Sequence, residues 1–479
     1  MQRSLFLKAL SILVLMLLIA IPLMMIEGTI RSRMIYRDEA VRSIAEDSVS
    51  SQTLLGPLLI IPYTENYQEE EIEEASKQKV MRSRKTKRQI FVFPDQLTLN
   101  ASVDTDQRYR GMHKVLVYSG QHSMTGDYEI PKLDAIAHEK NNSTITLGEP
   151  YISLGLSDTR GLKNVPKISF AKTDYEFKQN SKLDRFSHGL HAPVPLANLQ
   201  QGGKMAFELN LTIDGIEQMA FVPIAKNNQF TVSSKWQHPQ FFGRFLPSAK
   251  PTERKIDANG FSVVWNISSL SSNAQQQIFE AECCTTANAN ANRNSYPNGP
   301  EVVAAAQAVG QIDSFGVAFI EPVNAYSQSD RATKYGLLFV ALSFAAFFLF
   351  EILKQLPIHP VQYTLVGLAL VLFFLLLLSL SEHIAFWKAY LVASGACISL
   401  IAVYLSNALH SWKRGLGFGI ALTVLYGVLF GLLQSENNAL IMGSALLFAV
   451  LAAIMLVTRK VDWYQIGKSV TPEKPTHIV

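Results

Sequence analysis

Cysteine is scarce: the chain has three in 479 residues, too few for a disulfide framework. Two are adjacent, Cys283 and Cys284. A bridge between neighbouring cysteines closes a strained ring, and strained bonds are the readily reduced, regulatory kind. The pair reads either as a redox switch or as a tolerated local feature beside the low-complexity stretch "TANANANRNSYPNGP" at 286–300. Cys397 lies in an apolar run and reads as a small packing residue.

Catalytic signatures are also missing. There is no HExxH, no GxSxG and no GxxxxGK[ST], so zinc hydrolysis, a serine nucleophile elbow and a phosphate loop lose their usual markers. "GLSDT" (155–159) sets a serine beside one glycine and lacks the second, which is a loop. His188 and His191 have i, i+3 spacing, with Asp184 the one carboxylate nearby. Two imidazoles are too few for a structural zinc. A turn packed by histidines before Pro193 and Pro195 is the plainer reading, with a metal site as its alternative. No catalytic, cofactor-binding or metal-ligating residue is assigned, and an enzyme is not expected. The net charge of +4 comes without a basic stripe interleaved with aromatics, which argues against a nucleic-acid partner.

Charge itself is unevenly missing. Charged residues make up 17% of the chain and hydrophobic ones 48%, and the C-terminal third is nearly uncharged. Ala9–Ile26 carries no charge and exceeds the ~7–15-residue apolar core of a signal peptide, with no small-residue cleavage site after it. It reads as an uncleaved anchor, which Pro22 is able to kink. Five more apolar runs follow at Tyr335–Leu353, Val361–Ser381, Ala389–Leu409, Gly415–Leu433 and Ala439–Thr458. Each approaches the ~20 residues that a helix needs to cross a bilayer.

Short separators make neighbouring crossings antiparallel, so six of them put both termini on one side. With the N-terminus inside, cytoplasmic positions collect Arg3, Lys8, Lys354, Lys413, Arg414, Arg459, Lys460, Lys468 and Lys474, and the two short outer loops hold only Lys388. That bias fixes the orientation. No ionisable residue falls at the middle of a crossing; Glu351, Glu382 and His383 lie at ends. Ion-coupled transporters normally bury such groups. Gly415-x-x-x-Gly419, Gly427-x-x-x-Gly431 and Ala449-x-x-x-Ala453 permit close helix approach, within the bundle or across a dimer.

Between anchor and bundle the period changes. Ile26, Ile30 and Met34, then Val41, Ile44 and Ala45, continue the first helix as an amphipathic extension. Residues 97–104 and 205–213 then alternate apolar and polar, as half-buried strands do. Shorter candidates such as "LLIIPY", "KVLVY", "FSVVW" and "SFGVAFI" point to a mainly antiparallel β domain or two β lobes. An acidic block at 69–74 meets a basic one at 77–88. This is read as a solvated hairpin, with a docking arm as the alternative.

The expected architecture is therefore α+β, with six transmembrane helices and a β-rich extracytoplasmic domain inserted between helices one and two. The divisions are an anchor at 1–28, the β domain at 29–330 with mobile loops near 66–89 and 282–300, a five-helix bundle at 331–460 and a cytoplasmic tail at 461–479.

Several stretches resemble one family: "GPLLIIPYTE" (56–65), "WQHPQFFGRFLPSAK" (236–250), "GFSVVWNISSL" (260–270), the block 319–351, "HPVQYTLVGLALVLFFLLLLSLSEH" (359–383) and "VDWY" (461–464). They are similar to the CreD family, inner-membrane proteins of Gram-negative bacteria described by cell-envelope integrity. The resemblance implies an inner-membrane location with the large domain in the periplasm, and brings no reaction or catalytic residue. The expected partners are the lipid bilayer and an envelope protein, lipid or glycan, with the oligomeric state open. The leading function is binding of an envelope component by the exported domain; the alternative is a transporter or flippase for an amphiphile.

Overall fold

The computed structural model describes residues 2–72, 79–111, 113–133, 136, 138, 142–183, 188–200, 202–283, 312–319, 325–354, 358–408, 411–434 and 439–459. Asp184, Cys284, the stretch 286–300 and the tail 461–479 lie outside them. The chain divides into two compact units, one of residues 1–36 and 323–479 and one of residues 37–322. Among the described residues there are eight α-helices: α1 Gln2–Asp47, α2 Ala274–Cys283, α3 Ala325–Lys334, α4 Gly336–Lys354, α5 Pro360–Ser381, α6 Phe386–Ala408, α7 Trp412–Gln434 and α8 Ala439–Thr458.

In the first unit α1 passes through Pro22 without interruption. Ile12, Ile19, Leu23, Ile26 and Ile30 form its buried stripe, close to the i, i+3, i+4, i+7 spacing of one helix face. Helix α5 starts where Pro360 presets φ at the first helical position, and His359 Nδ1 accepts the Val361 N–H at 3.3 Å. Four helices are long and apolar enough to cross a membrane, counted among the described residues: those containing residues 10–47, 360–381, 386–408 and 412–434.

The run expected as one crossing at Tyr335–Leu353 is different. It is the second part of a bent pair, α3 and α4, which meet at 44° and make a fifth span if counted together. The bend sits before Gly336, where a Cβ would lie 3.1 Å from Leu23 and 3.2 Å from the Phe374 ring. Close packing at that point, and the polar residues Gln328, Ser329 and Thr333 on α3, separate the two halves. Helix α8 is present with the expected bounds but is not among the spans counted.

The second unit holds two sheets. The nine-stranded one runs Pro239–Gly243, Phe315–Phe319, Gln218–Phe221, Gln52–Ile72, Tyr151–Leu156, Leu190–Pro193, Lys178–Gln179, and Lys79–Val92 and Thr144–Leu147 also pair with Gln52–Ile72. The eight-stranded one runs Arg254–Asp257, Gly260–Ser268, Asn227–Ser234, Gln96–Arg110, His113–Ile130, Gly203–Ile216, Lys167–Phe170, Thr173–Glu176. Pairing is antiparallel except for Gln52–Leu54 with Met219–Phe221 and Gln96–Val103 with Asn227–Ser234.

The alternation read at 97–104 is the burial pattern of the sheet: Leu97, Leu99, Ala101 and Val103 are buried and Asn100 and Asp104 exposed. Both sheets feed one apolar cluster, with Leu58, Met124, Leu209, Val263 and Trp265 among its fully buried members. One core therefore serves both sheets.

Residues 66–72 and 79–89, expected as a mobile loop, are paired strand: Leu59–Ile72 runs antiparallel to Lys79–Val92. The acidic and basic blocks face each other there, with Lys79–Glu70 at 2.9 Å and Arg84–Glu69 at 3.4 Å. Their exposure keeps each such pair within about 1 kcal/mol. The end of α1 is anchored in this unit: Val41, Ile44 and Ala45 pack with Val115 and Ile216. The Arg160 guanidinium donates to the Glu46 and Ala45 carbonyls at 2.7 and 3.0 Å, satisfying acceptors that a helix C-terminus leaves open.

Candidate functional site

The residues singled out from the sequence separate in the structure. His191 is buried on Leu190–Pro193, and its Nδ1 lies 2.5 Å from the Asn180 carbonyl. Burial lowers its pKa, outweighing the raising effect of that carbonyl. His188 is exposed, and among the described residues no three His, Cys, Asp or Glu side chains group as metal ligands. Ser157 of "GLSDT" donates to the Ser51 carbonyl at 2.8 Å and accepts the Thr53 N–H at 2.9 Å, a structural pin.

One constellation escaped sequence reading. Ser143 Oγ donates to Glu65 Oε1 at 2.6 Å and lies 2.8 Å from His138 Nδ1. Three chemically capable groups meet, but in the wrong order for attack: a nucleophilic serine gives its proton to the imidazole. Here the carboxylate takes the hydroxyl hydrogen, leaving Nδ1 to approach as a donor. The trio secures Thr144–Leu147 beside Asn66–Tyr63, with which it pairs.

His122 is also buried outside any pattern that spacing reveals. Its Nδ1 is 2.9 Å from the Gly120 carbonyl and its Nε2 3.4 Å from Met219 Sδ. Burial brings its pKa down to about 4, against the raising effect of the Gly120 and Leu211 carbonyls. A depressed folded value means that the unfolded chain protonates first on acidification. Stability is complete above about pH 6.5 and falls between there and pH 4, by about 3 kcal/mol in all. His122→Gln should flatten that limb in denaturant titrations followed by tryptophan fluorescence. An unchanged slope from pH 7 to 4.5 would mean the imidazole is not held neutral. Glu217, whose pKa burial raises against the nearby Arg37, acts in the opposite sense and is common to both proteins.

One open concavity of the second unit is a groove of about 810 Å³. The hairpin Leu59–Ile72/Lys79–Val92 brings Tyr63, Lys87, Arg88, Gln89 and Phe91; α2 brings Phe279 and Glu282; a loop brings Lys182. Tyr151, beneath it, organises two of these groups. Lys182 Nζ sits 4.5 Å above the Tyr151 ring, and Gln89 Nε2 donates to the Tyr151 hydroxyl at 3.4 Å. Burial first, then the Glu282 charge, push the Tyr151 pKa up to about 12, so the phenol stays neutral. Sequence reading missed the groove because its walls come from positions 62 to 282.

In the first unit, several polar groups bind one another between helices. Glu351 of α4 forms an ion pair with Lys8 of α1, accepts from Tyr363 of α5 at 2.8 Å and from the Ile358 N–H at 3.4 Å. Glu382, just past α5, meets Arg33 of α1 at 3.3 Å and the Tyr326 hydroxyl at 3.5 Å. Tyr426 of α7 donates to Cys397 Sγ of α6 at 3.1 Å, and Cys397 in turn to the Ala369 carbonyl of α5 at 3.3 Å. Cys397 is thus a polar bridge as well as a packing residue.

A Cβ at Gly415 would run into Ser406 and the Ala402 carbonyl of α6, and one at Gly419 would lie 3.2 Å from Ala402. This small-residue face packs inside the bundle. Gly427 has open space around it. Gln328 Oε1 and Ser329 Oγ are buried without a hydrogen-bond partner among the described residues.

The family model described as "Inner membrane protein CreD" matches residues 4–464. The chain is 33% identical over 465 residues to the Inner membrane protein CreD of Escherichia coli (strain K12), covering 97% of this chain and 95% of that protein.

Proposed function

Because the chain belongs to the CreD family of multi-pass inner-membrane proteins, we propose that it acts in envelope integrity by binding an envelope component through a periplasmic β domain held on six crossings. The observation that carries this reading is the contrast between the two units. The β unit has an open groove lined with aromatic and cationic side chains. The membrane unit's carboxylates are instead engaged by cations and hydroxyls of neighbouring helices. Binding rather than turnover fits a groove whose described lining residues include no nucleophile and base in attacking order.

The orientation is supported by the two ion pairs of α1. Lys8 meets the C-terminal end of α4, and Arg33 meets the residue that follows α5. Helix α4 therefore runs against α1, and α5 runs with it, as alternating crossings require. Lys8 and Arg33 are separated by roughly 37 Å at the ~1.5 Å rise of a helix, enough to bracket a ~30 Å hydrocarbon layer. Cytoplasmic termini follow from the positive-charge bias, and α8 is the sixth crossing.

Under reducing conditions a membrane-impermeant thiol reagent should label Cys283 or Cys284 in intact spheroplasts of a Cys397→Ser variant. Labelling that appears only after lysis would place the β unit on the cytoplasmic side and end this reading.

A further inference from the structure

We propose that the 810 Å³ groove of the β unit is a binding site for an anionic sugar, a pyranose oligomer bearing carboxylate or phosphate groups. This deepens, and rests on, the reading of the exported unit as a binding element. The composition of the lining argues the ligand class. Among the described residues it contains no Leu, Ile, Val, Met or Ala, so these offer no socket for an acyl chain or an aliphatic peptide side chain. Beside Pro62, its large apolar side chains are aromatic: Tyr63, Phe91 and Phe279.

Phe279 is 49% exposed, and its ring stands edge-on to Phe91 at 6.1 Å. An open aromatic face beside hydroxyl and amide groups matches the alternating C–H and O–H surface of a pyranose. Such rings give large contact area at low entropic cost.

Charge supplies the second half. Lys87, Arg88 and Lys182 line the groove against Glu282, a cationic excess that favours an anionic ligand and raises its encounter rate. The basic strand continues away from the groove through Lys85, so an oligomer has charge to follow beyond one ring, while Arg84 next to it is paired with Glu69. Preorganisation is the third observation: Lys182 over the Tyr151 ring and Gln89 on its hydroxyl hold a cation and an amide in place before a ligand arrives. That lowers the ordering cost of binding.

The test uses the full chain in a polyoxyethylene detergent, whose head group is not a sugar, with calorimetric titration. Trigalacturonate should bind, and maltotriose, inorganic phosphate and hexaglutamate should each bind at least tenfold more weakly. Lys182→Gln and Phe279→Ala should each weaken trigalacturonate tenfold or more. Lys235→Gln, a cation outside the groove lining, should leave binding unchanged. An arm with an acidic glycolipid in nanodiscs separates a membrane-borne sugar from a free one, either source supporting the same site.

No binding of trigalacturonate to the folded wild type overturns the proposal. So does equal binding of hexaglutamate or phosphate, or an unchanged affinity in both groove variants. Each of these leaves the binding role of the unit to be judged separately, by its deletion.

Discussion

Lys8→Met is expected to lower the stability of the membrane unit by about 3 kcal/mol, the lower part of the ~3–5 kcal/mol range for stranding one member of a buried ion pair. Glu351 is the buried partner: its side chain is 9% exposed against 25% for Lys8. The lower part of the range applies because Tyr363 and the Ile358 N–H still donate to the carboxylate. Glu351→Gln removes the charge but keeps an acceptor for Tyr363, so its loss should be about 1–2 kcal/mol.

The double variant Lys8→Met/Glu351→Met should recover most of what Lys8→Met loses, since a hydrophobic pair of similar volume can replace a buried ionic one. Unfolding in mixed micelles, followed by the tryptophans at 387 and 412, reads all three. A double variant no more stable than Lys8→Met alone would show that Lys8 and Glu351 do not act on each other, and the α1–α4–α5 junction would lose its basis.

That junction marks where sequence reading stops. The apolar runs gave the helices α5, α6, α7 and α8 nearly residue by residue, because a crossing is a property of consecutive residues. Glu351 and Glu382 were visible as charges at the ends of runs. Their cations were not, since Lys8 is 343 positions away from Glu351. The bend before Gly336 was hidden for a related reason. The composition changes there from the polar α3 to the apolar α4, but only the approach of Leu23 and Phe374 reveals the constraint on the backbone.

In the β unit the two-residue period at Leu97–Val103 and Phe207–Ile213 told correctly which face is buried. It could not tell which strand lies alongside. The parallel pairing of Gln96–Val103 with Asn227–Ser234 is set by packing across the whole sheet, and alternation is silent on partner and direction. The charge blocks at 69–88 announced a hairpin by their complementarity, and the strand pairing agrees. The groove was illegible for the most basic reason: Tyr63, Lys87, Lys182 and Phe279 belong to no common motif, and each by itself is an ordinary surface residue.

The central claim is that the exported unit carries the function and the helices position it. Complementation of an envelope-stress phenotype at matched membrane levels tests it most directly. Tyr426→Phe removes the hydroxyl that meets Cys397, Thr423→Val one that bonds only its own helix at Gly419, and Tyr404→Phe one from a half-buried ring. Each change is close to isosteric, with an expected cost below ~1.5 kcal/mol. The account predicts that all three complement like wild type and that a chain lacking residues 50–320 does not. Loss of complementation in the hydroxyl variants, with the shortened chain still active, would contradict it and move the function into the helices, where a transport path depends on its few polar groups.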